Sequence, residues 1–115
     1  MEQIKIHLIE DDEDDVFFVK EMLANHQDYE FLFGASSRLE DAEAVFKAEA
    51  PDVVLLDLSL PDSSGVESVT RVKALVPMSD IIVLTGNRNQ EYGIQALKLG
   101  ASDYVIKDTT NNRHL

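Results

Sequence analysis

Short apolar runs alternate along the chain with longer segments in which apolar residues recur at every third or fourth position. The short runs cover residues 4–9, 29–35, 53–56, 81–84 and 104–106, and most are rich in β-branched side chains. Runs of this length and composition are typical of strands, whereas the longer spacing is typical of helices. The alternation predicts an α/β fold in which a parallel sheet of five strands carries helices on both faces.

The helical segments have recognisable starts and ends. The first begins near Asp14, and its apolar positions are Val16, Val19, Met22 and Leu23. The S-x-x-E pattern of residues 37–40 has the form of a capping box and predicts the start of a second helix. The apolar face of this second helix comprises Leu39, Ala42, Val45 and Phe46. A third helix follows the loop of residues 61–65. A fourth covers about residues 89–99, and Gly100 is the residue that terminates it.

Polar side chains follow four of the predicted strands at the point where each strand ends. Glu10 and Asp11 follow the first strand, Asp57 the third, Thr85 the fourth and Lys107 the fifth. A polar residue after one buried strand usually only ends that strand. Because the carboxyl ends of parallel strands meet at one edge of the sheet, where such folds bind their ligands, we expect these five side chains to lie close together.

The run EDDEDD at residues 10–15 crowds six acidic side chains between the first strand and the first helix. Like charges at this spacing repel one another, and burial of any of them adds to the cost. Two interpretations of the run remain open. It is either a solvated turn whose later members favour the start of the helix, or a site in which its first members bind a hard cation.

Composition excludes several classes of protein. The chain has 115 residues, of which 22 are acidic and 10 basic, and its net charge of −12 opposes binding to nucleic acid or to anionic membranes. It has no cysteine, which excludes disulfides and cysteine-based zinc sites. No apolar run reaches the length of a membrane span. We expect one cytoplasmic domain that covers residues 1–115.

In order and spacing, these residues resemble the receiver domain of two-component response regulators. The resemblance rests on Glu10 and Asp11, Asp57, the P-x-x-x-G loop of residues 61–65, Thr85-Gly86 and the stretch GASDYVIK at residues 100–107. It implies a flavodoxin-like, doubly wound sheet with strand order 2-1-3-4-5. It also implies that Asp57 accepts a phosphoryl group from a phosphohistidine on a partner histidine kinase or phosphotransfer protein.

The same resemblance implies ligands for Mg²⁺, which prefers oxygen donors. Asp11 and Asp57 would bind the metal directly, the backbone carbonyl of Ser59 would add a third oxygen, and Glu10 would hold metal-bound water. Mn²⁺ or Ca²⁺ would substitute in such a site. The acidic run would then provide two acids for the metal, with residues 13–15 at the helix start and residue 12 without an assigned role.

Three further residues would respond to the phosphoryl group. By resemblance, Lys107 pairs with the acceptor before the reaction and with the phosphoryl oxygens after it, the Thr85 hydroxyl moves towards the phosphoryl group, and Tyr104 turns inwards behind it. Tyr104 has a second interpretation, as an aromatic that only packs on the fourth helix. Ser59 and Asn87 occupy the two positions that tune the hydrolysis rate of the acyl phosphate.

Two features depart from the family pattern. Asp108 stands where members usually have a proline after the lysine, so the shape of that loop is open. The sequence reaches Leu115 without room for a fifth helix, so we expect a fragment of a longer protein with an unknown output module. We expect apolar exposure on strands one and five, and a signalling surface around the fourth helix and fifth strand, with homodimerisation left open.

Three other classes of protein use similar residues. A haloacid-dehalogenase-type phosphatase has a second aspartate two positions after its nucleophile, where this chain has Ser59. An FMN carrier of the flavodoxin type needs a phosphate-binding loop after the first strand, and the acidic run would repel the phosphate. A degenerate receiver that only binds partners is disfavoured by the complete set of acids, Thr85 and Lys107. We therefore expect a phosphorylation-operated switch that modifies only itself and is not an enzyme with a separate substrate.

Overall fold

Strands and helices alternate through residues 2–86 and 90–107, which are the parts of the chain that this computed structural model describes. The strands are β1 (Glu2–Ile9), β2 (Tyr29–Ser36), β3 (Val53–Asp57), β4 (Asp80–Thr85) and β5 (Asp103–Ile106). The helices are α1 (Glu13–Ala24), α2 (Leu39–Ala48), α3 (Glu67–Leu75) and α4 (Gln90–Lys98).

The five strands form one parallel sheet in the order β2-β1-β3-β4-β5. The chain builds first to one side of β1 and then crosses to β3, so the switch point of this doubly wound sheet lies between β1 and β3. The predicted fold and strand order 2-1-3-4-5 are confirmed. Four helices lie in the described ranges, and none of these is both long and apolar enough to cross a membrane. The segment after Lys107, where no room for a fifth helix is predicted, lies outside the described residues.

One face of the sheet carries the main apolar core. Its buried residues include Val54 and Leu56 of β3, Ile81 and Val83 of β4, Leu39, Ala42 and Phe46 of α2, Val69 and Val72 of α3, and Ala96 of α4. Val45, predicted on the apolar face of α2, is 45% exposed. Because three helices close this face, β3 and β4 are held firmly up to their last residues, Asp57 and Thr85.

The opposite face of the sheet forms an apolar groove of about 320 Å³ beside α1. The strands line it with Val53, Leu55, Ile82, Leu84 and Val105, among others. Val105 is 41% exposed, whereas Ile6 and Leu8 of β1 are buried. The predicted apolar exposure is therefore present on β5, and Ile6 of β1 lines the same groove although little of it is exposed. The groove also extends over β3 and β4.

The start of α2 is fixed by a residue from another part of the chain. Arg38 is the N-cap residue and provides no side-chain cap. Instead, the Asp62 carboxylate, in the loop between β3 and α3, accepts hydrogen bonds from the backbone N–H groups of Leu39 (2.9 Å) and Glu40 (3.0 Å). The predicted capping box at residues 37–40 is therefore wrong, because a charged carboxylate satisfies these amides in place of a local hydroxyl.

Replacing Asp62 with alanine is expected to lower the free energy of unfolding by about 0.5–2 kcal/mol, the usual cost of losing a helix cap. Desolvation opposes the shift, but the hydrogen bonds from Leu39 and Glu40 lower the pKa of Asp62 below its ordinary value. A carboxyl group with a lowered folded-state pKa stabilises the fold above its unfolded pKa and loses that effect as the pH falls through the folded-state pKa. The difference between the parent and Asp62→Ala should therefore shrink in acid.

Urea unfolding near neutral pH and in acid measures this difference. Asp28→Ala is the control, because Asp28 is exposed in the turn between α1 and β2 and its loss removes the same charge. If Asp62→Ala were as stable as Asp28→Ala near neutral pH, the assigned cap would be wrong.

Candidate functional site

Three carboxylates meet at the carboxyl edge of the sheet. Glu10 follows β1, Asp11 is the next residue, and Asp57 ends β3. One oxygen atom of each carboxylate lies within 4.8 Å of the other two. Glu10 and Asp57 are each 2% exposed, whereas Asp11 is exposed to solvent. The fold therefore brings these three acids close enough for one metal ion to contact all of them, and their oxygen donors suit a hard cation.

Lys107, directly after β5, brings a positive charge to these acids. Its ammonium nitrogen Nζ lies 2.9 Å from Glu10 Oε1, 3.2 Å from Asp15 Oδ2 and 3.6 Å from Asp57 Oδ2. The first two contacts are hydrogen bonds, whereas the third is longer than a normal hydrogen bond. Lys107 thus contacts Asp57, but it is bound more closely by Glu10 and by Asp15.

Burial and charge act in opposite directions on the protonation of this cluster. Burial, helped by the neighbouring Asp57, raises the pKa of Glu10 to about 8 against the opposing effect of Lys107. Burial alone would lower the pKa of Lys107, but its hydrogen bond to Glu10 and the charge of Asp57 raise that pKa above its ordinary value. The lysine therefore stays a cation, while the acids favour a further positive charge, which a proton or a divalent metal ion supplies.

The loop after β3 folds back next to Asp57. The backbone N–H of Ser59 donates to Asp57 Oδ1 at 3.0 Å, and Ser59 pairs with Ser64 in an isolated antiparallel bridge. Gly65 has a φ of 82°, in the left-handed region that favours glycine, and its N–H donates to the Leu58 carbonyl at 2.9 Å. The P-x-x-x-G pattern thus closes a tight loop that holds one oxygen of Asp57 and leaves Ser59 exposed.

Thr85 and Tyr104 lie on the two neighbouring strands β4 and β5. Thr85 is 3% exposed, and its backbone carbonyl accepts a hydrogen bond from the Lys107 N–H at 2.7 Å. Tyr104 is half-buried, and its ring lies so close to Gly93 of α4 that a side-chain carbon at that position would overlap with the ring. Packing of Tyr104 on the fourth helix is therefore observed, and its movement remains a prediction. Asn87 lies outside the described residues.

The acidic run has more roles than the sequence predicts. Asp12 is the N-cap of α1, and its carboxylate accepts hydrogen bonds from the backbone N–H groups of Asp14 (2.9 Å) and Asp15 (3.3 Å). Glu13 and Asp14 are exposed in the first turn, where the helix dipole makes negative charge stabilising. The Asp15 side chain, only 13% exposed, contacts Lys107 instead of solvent. The predicted placement of Asp15 at the helix start is right, but its contact with Lys107 was missed.

Comparison with known proteins agrees with this arrangement. Residues 6–115 match the family described as response regulator receiver domain. The chain is 40% identical over 86 residues to the uncharacterized transcriptional regulatory protein YhcZ of Bacillus subtilis, an alignment that covers 75% of this chain and 40% of YhcZ. It is 30% identical over 105 residues to the chemotaxis protein CheY of Listeria monocytogenes, which covers 89% of this chain and 87% of that protein.

Two solved structures resemble the fold closely. The phosphorylated cyanobacterial phytochrome response regulator RcpA has a TM-score of 0.77 and 28% identity, over 92% of this chain and 81% of that one. The Mn(2+)-bound form of response regulator Rcp1 has a TM-score of 0.72 and 27% identity, over 91% of this chain and 81% of that one. The chain belongs to the response regulator receiver domain family. It spans only about 40% of the length of its relative YhcZ.

Replacing Lys107 with methionine removes the charge but keeps much of the side chain. In the metal-free protein at mildly alkaline pH, this change should lower the free energy of unfolding by about 1–3 kcal/mol, between the values for surface and buried ion pairs. The reason is that the buried Glu10 and Asp57 lose the cation that offsets their repulsion. Thermal or urea unfolding measures the loss, with Lys47→Met as control, because Lys47 lies on the surface of α2, 3.8 Å from Glu43.

A second change separates this effect from simple loss of packing. Adding Glu10→Gln to Lys107→Met removes one of the two buried negative charges and should recover much of the lost stability. A Lys107→Met protein as stable as Lys47→Met, or a double variant no more stable than the single one, would contradict the electrostatic account.

Proposed function

We propose that this chain is a phospho-accepting receiver domain in which Asp57 takes a phosphoryl group from a phosphohistidine of a partner histidine kinase or phosphotransfer protein. The observation that carries the proposal is the position of Asp57, which is buried between other carboxylates and within 3.6 Å of the Lys107 ammonium. Glu13 and Asp14, in the first turn of α1, are instead exposed to solvent. A relative of similar fold, RcpA, is known in a phosphorylated form.

The proposed reaction transfers one phosphoryl group between two side chains. An oxygen of the Asp57 carboxylate forms a bond to phosphorus while the bond between phosphorus and the donor's imidazole nitrogen breaks, and that nitrogen keeps the electron pair. The product is an acyl phosphate on this chain, and no separate substrate is turned over. Because the transferred group is negatively charged, positive charge must lie close to both its oxygens and the attacking carboxylate. Lys107 supplies part of that charge.

A divalent metal ion would supply the rest. Glu10, Asp11 and Asp57 place carboxylate oxygens within 4.8 Å of one another. In the proposed site, Asp11 and Asp57 would bind the metal directly, the backbone carbonyl of Ser59 would add a third oxygen, and Glu10 would hold metal-bound water. We propose Mg²⁺ as the resident ion, since hard oxygen ligands with retained water suit it, and Mn²⁺ or Ca²⁺ as substitutes. Such an ion would neutralise negative charge at the phosphoryl oxygens. The Mn(2+)-bound form of Rcp1 supports a divalent ion in this fold.

The proposed output is a change in the surface around α4 and β5. Thr85 ends β4, the strand that pairs with β3, and Lys107 follows β5, the next strand along. Tyr104 connects β5 to α4 through its contact with Gly93. In the proposed switch, Thr85 and Lys107 move towards the phosphoryl group and Tyr104 follows. Ser59 and Asn87 would tune how fast the acyl phosphate hydrolyses. The output module and any homodimer contact are unassigned, and the net charge of −12 disfavours direct binding of nucleic acid.

Incubation with acetyl phosphate and Mg²⁺ should add one phosphoryl group to the parent protein and none to Asp57→Asn. Acetyl phosphate is chosen because it replaces the unidentified kinase as donor. Intact-protein mass spectrometry measures the addition, and Ser59→Ala and Ser64→Ala are the controls for a hydroxyl acceptor in the same loop. Labelling of Asp57→Asn equal to the parent, or a label that survives mild base as a serine ester would, contradicts the assignment.

Magnesium ions should stabilise the parent in a way that depends on Asp11. For a site filled at about ten times its dissociation constant, binding adds about 1.4 kcal/mol, or roughly 3–8 °C in the melting temperature of a domain of this size. Asp11→Asn should lose most of this shift because it removes a proposed ligand. Asp14→Asn removes the same charge from the exposed first turn of α1 and should keep the shift.

Sodium chloride at matched ionic strength controls for general screening of the acidic chain. The metal site would be misplaced if Asp14→Asn abolished the Mg²⁺ shift as fully as Asp11→Asn, or if NaCl alone reproduced it.

A further inference from the structure

Asp15 is the one member of the acidic run that combines a position in the first turn of α1 with a contact across the site. Its neighbours Glu13 and Asp14 are exposed, whereas its side chain is 13% exposed. Asp15 Oδ2 accepts a hydrogen bond from Lys107 Nζ at 3.2 Å. The contact joins residues 92 positions apart in the chain. Asp15 is neither a proposed metal ligand nor the proposed acceptor.

The three carboxylates around Lys107 do not bind it equally. The ammonium donates to Glu10 and to Asp15, and Asp57 is the most distant of the three at 3.6 Å. An ammonium group has three donor hydrogens with fixed angles between them, so its position is a compromise among its acceptors. The bond to Asp15 occupies one donor and draws the ammonium towards α1, which leaves the contact with Asp57 longer than a normal hydrogen bond.

We propose that Asp15 is a positioning residue that competes with any group on Asp57 for the ammonium of Lys107. This inference rests on the proposed function of Asp57. A phosphoryl group on Asp57 presents several strong acceptors, and Lys107 must weaken or break its bond to Asp15 in order to reach them. Asp15 therefore keeps the Lys107 ammonium away from Asp57 in the unmodified protein. It also raises the free energy of the state in which Lys107 contacts a phosphoryl group on Asp57.

Two other roles for Asp15 give different results when it is changed. If Asp15 only stabilised the fold through an ion pair, its loss would alter the melting temperature and leave the affinity for a phosphoryl mimic unchanged. If Asp15 supported Lys107 in its approach to Asp57, its loss would weaken that affinity. Of these three roles, only competition predicts that removing the negative charge of Asp15 strengthens binding of the mimic.

The test uses beryllofluoride, which binds an aspartate oxygen and stands in for the phosphoryl group. Its dissociation constant is measured at saturating Mg²⁺ by NMR titration of the full chain. Asp15→Asn keeps the size of the side chain and should bind beryllofluoride about three- to ten-fold more tightly, the range expected for an ion pair with partly buried members. The conservative variant Asp15→Glu, which keeps the charge, should return to within about two-fold of the parent.

Asp14→Asn is the matched control, because it removes the same charge from the same helical turn at an exposed position. It should leave the dissociation constant within about two-fold of the parent. Unchanged or weaker binding by Asp15→Asn, or equal gains in Asp14→Asn and Asp15→Asn, would overturn the competition. Failure of the proposed function is a separate outcome: the parent would then bind no beryllofluoride, or Asp57→Asn would bind it equally well.

Discussion

The ammonium group of Lys107 holds together carboxylates that would otherwise repel one another. Glu10 and Asp57 are both almost fully buried, and without a cation beside them their repulsion would act in surroundings with little water to screen it. Lys107 reaches both, and it also reaches Asp15. One positive charge thus connects four parts of the fold: the carboxyl ends of β1 and β3, the end of β5 and the first turn of α1. In the proposed function, a metal cation at this edge would reduce the repulsion between the acids, and a phosphoryl group on Asp57 would attract the lysine.

The rest of the fold fixes the positions of the residues at this edge of the sheet. The core under α2, α3 and α4 fixes β3 and β4, so the positions of Asp57 and Thr85 do not depend on the exposed loops. The loop after β3 is fixed at two points. Its Ser59 N–H donates to Asp57, and its Asp62 carboxylate caps α2. The start of α2 is therefore tied to the loop that carries the proposed carbonyl ligand. The Asp62 cap of α2 therefore also helps to hold the loop that contains Ser59.

Sequence patterns could predict the features that depend on strand ends, but not those that depend on contacts between distant segments. Glu10, Asp57 and Lys107 each follow an apolar strand, so their convergence followed from the topology of a parallel sheet, and the strand order came from resemblance to a family. The Asp62 cap crosses more than 20 residues, whereas the local S-x-x-E pattern pointed to a serine. An acid in the first turn of a helix is ordinary, so the contact of Asp15 with Lys107 was missed. A weak signal existed: Asp15 lies three and four positions before Phe18 and Val19, which line the groove on the sheet side of α1.

A crystal structure of the protein with Mg²⁺ and beryllofluoride tests the central role of Lys107 most directly. The quantities to measure are the distances from Lys107 Nζ to Asp15 Oδ2 and to the nearest fluorine. The account predicts a beryllium–oxygen bond at Asp57, a fluorine within hydrogen-bonding distance of Nζ, and an Nζ–Oδ2 distance clearly longer than the present 3.2 Å. Beryllofluoride bound away from Asp57, or a Lys107 that remains bonded to Asp15 and does not contact the fluorines, would contradict it.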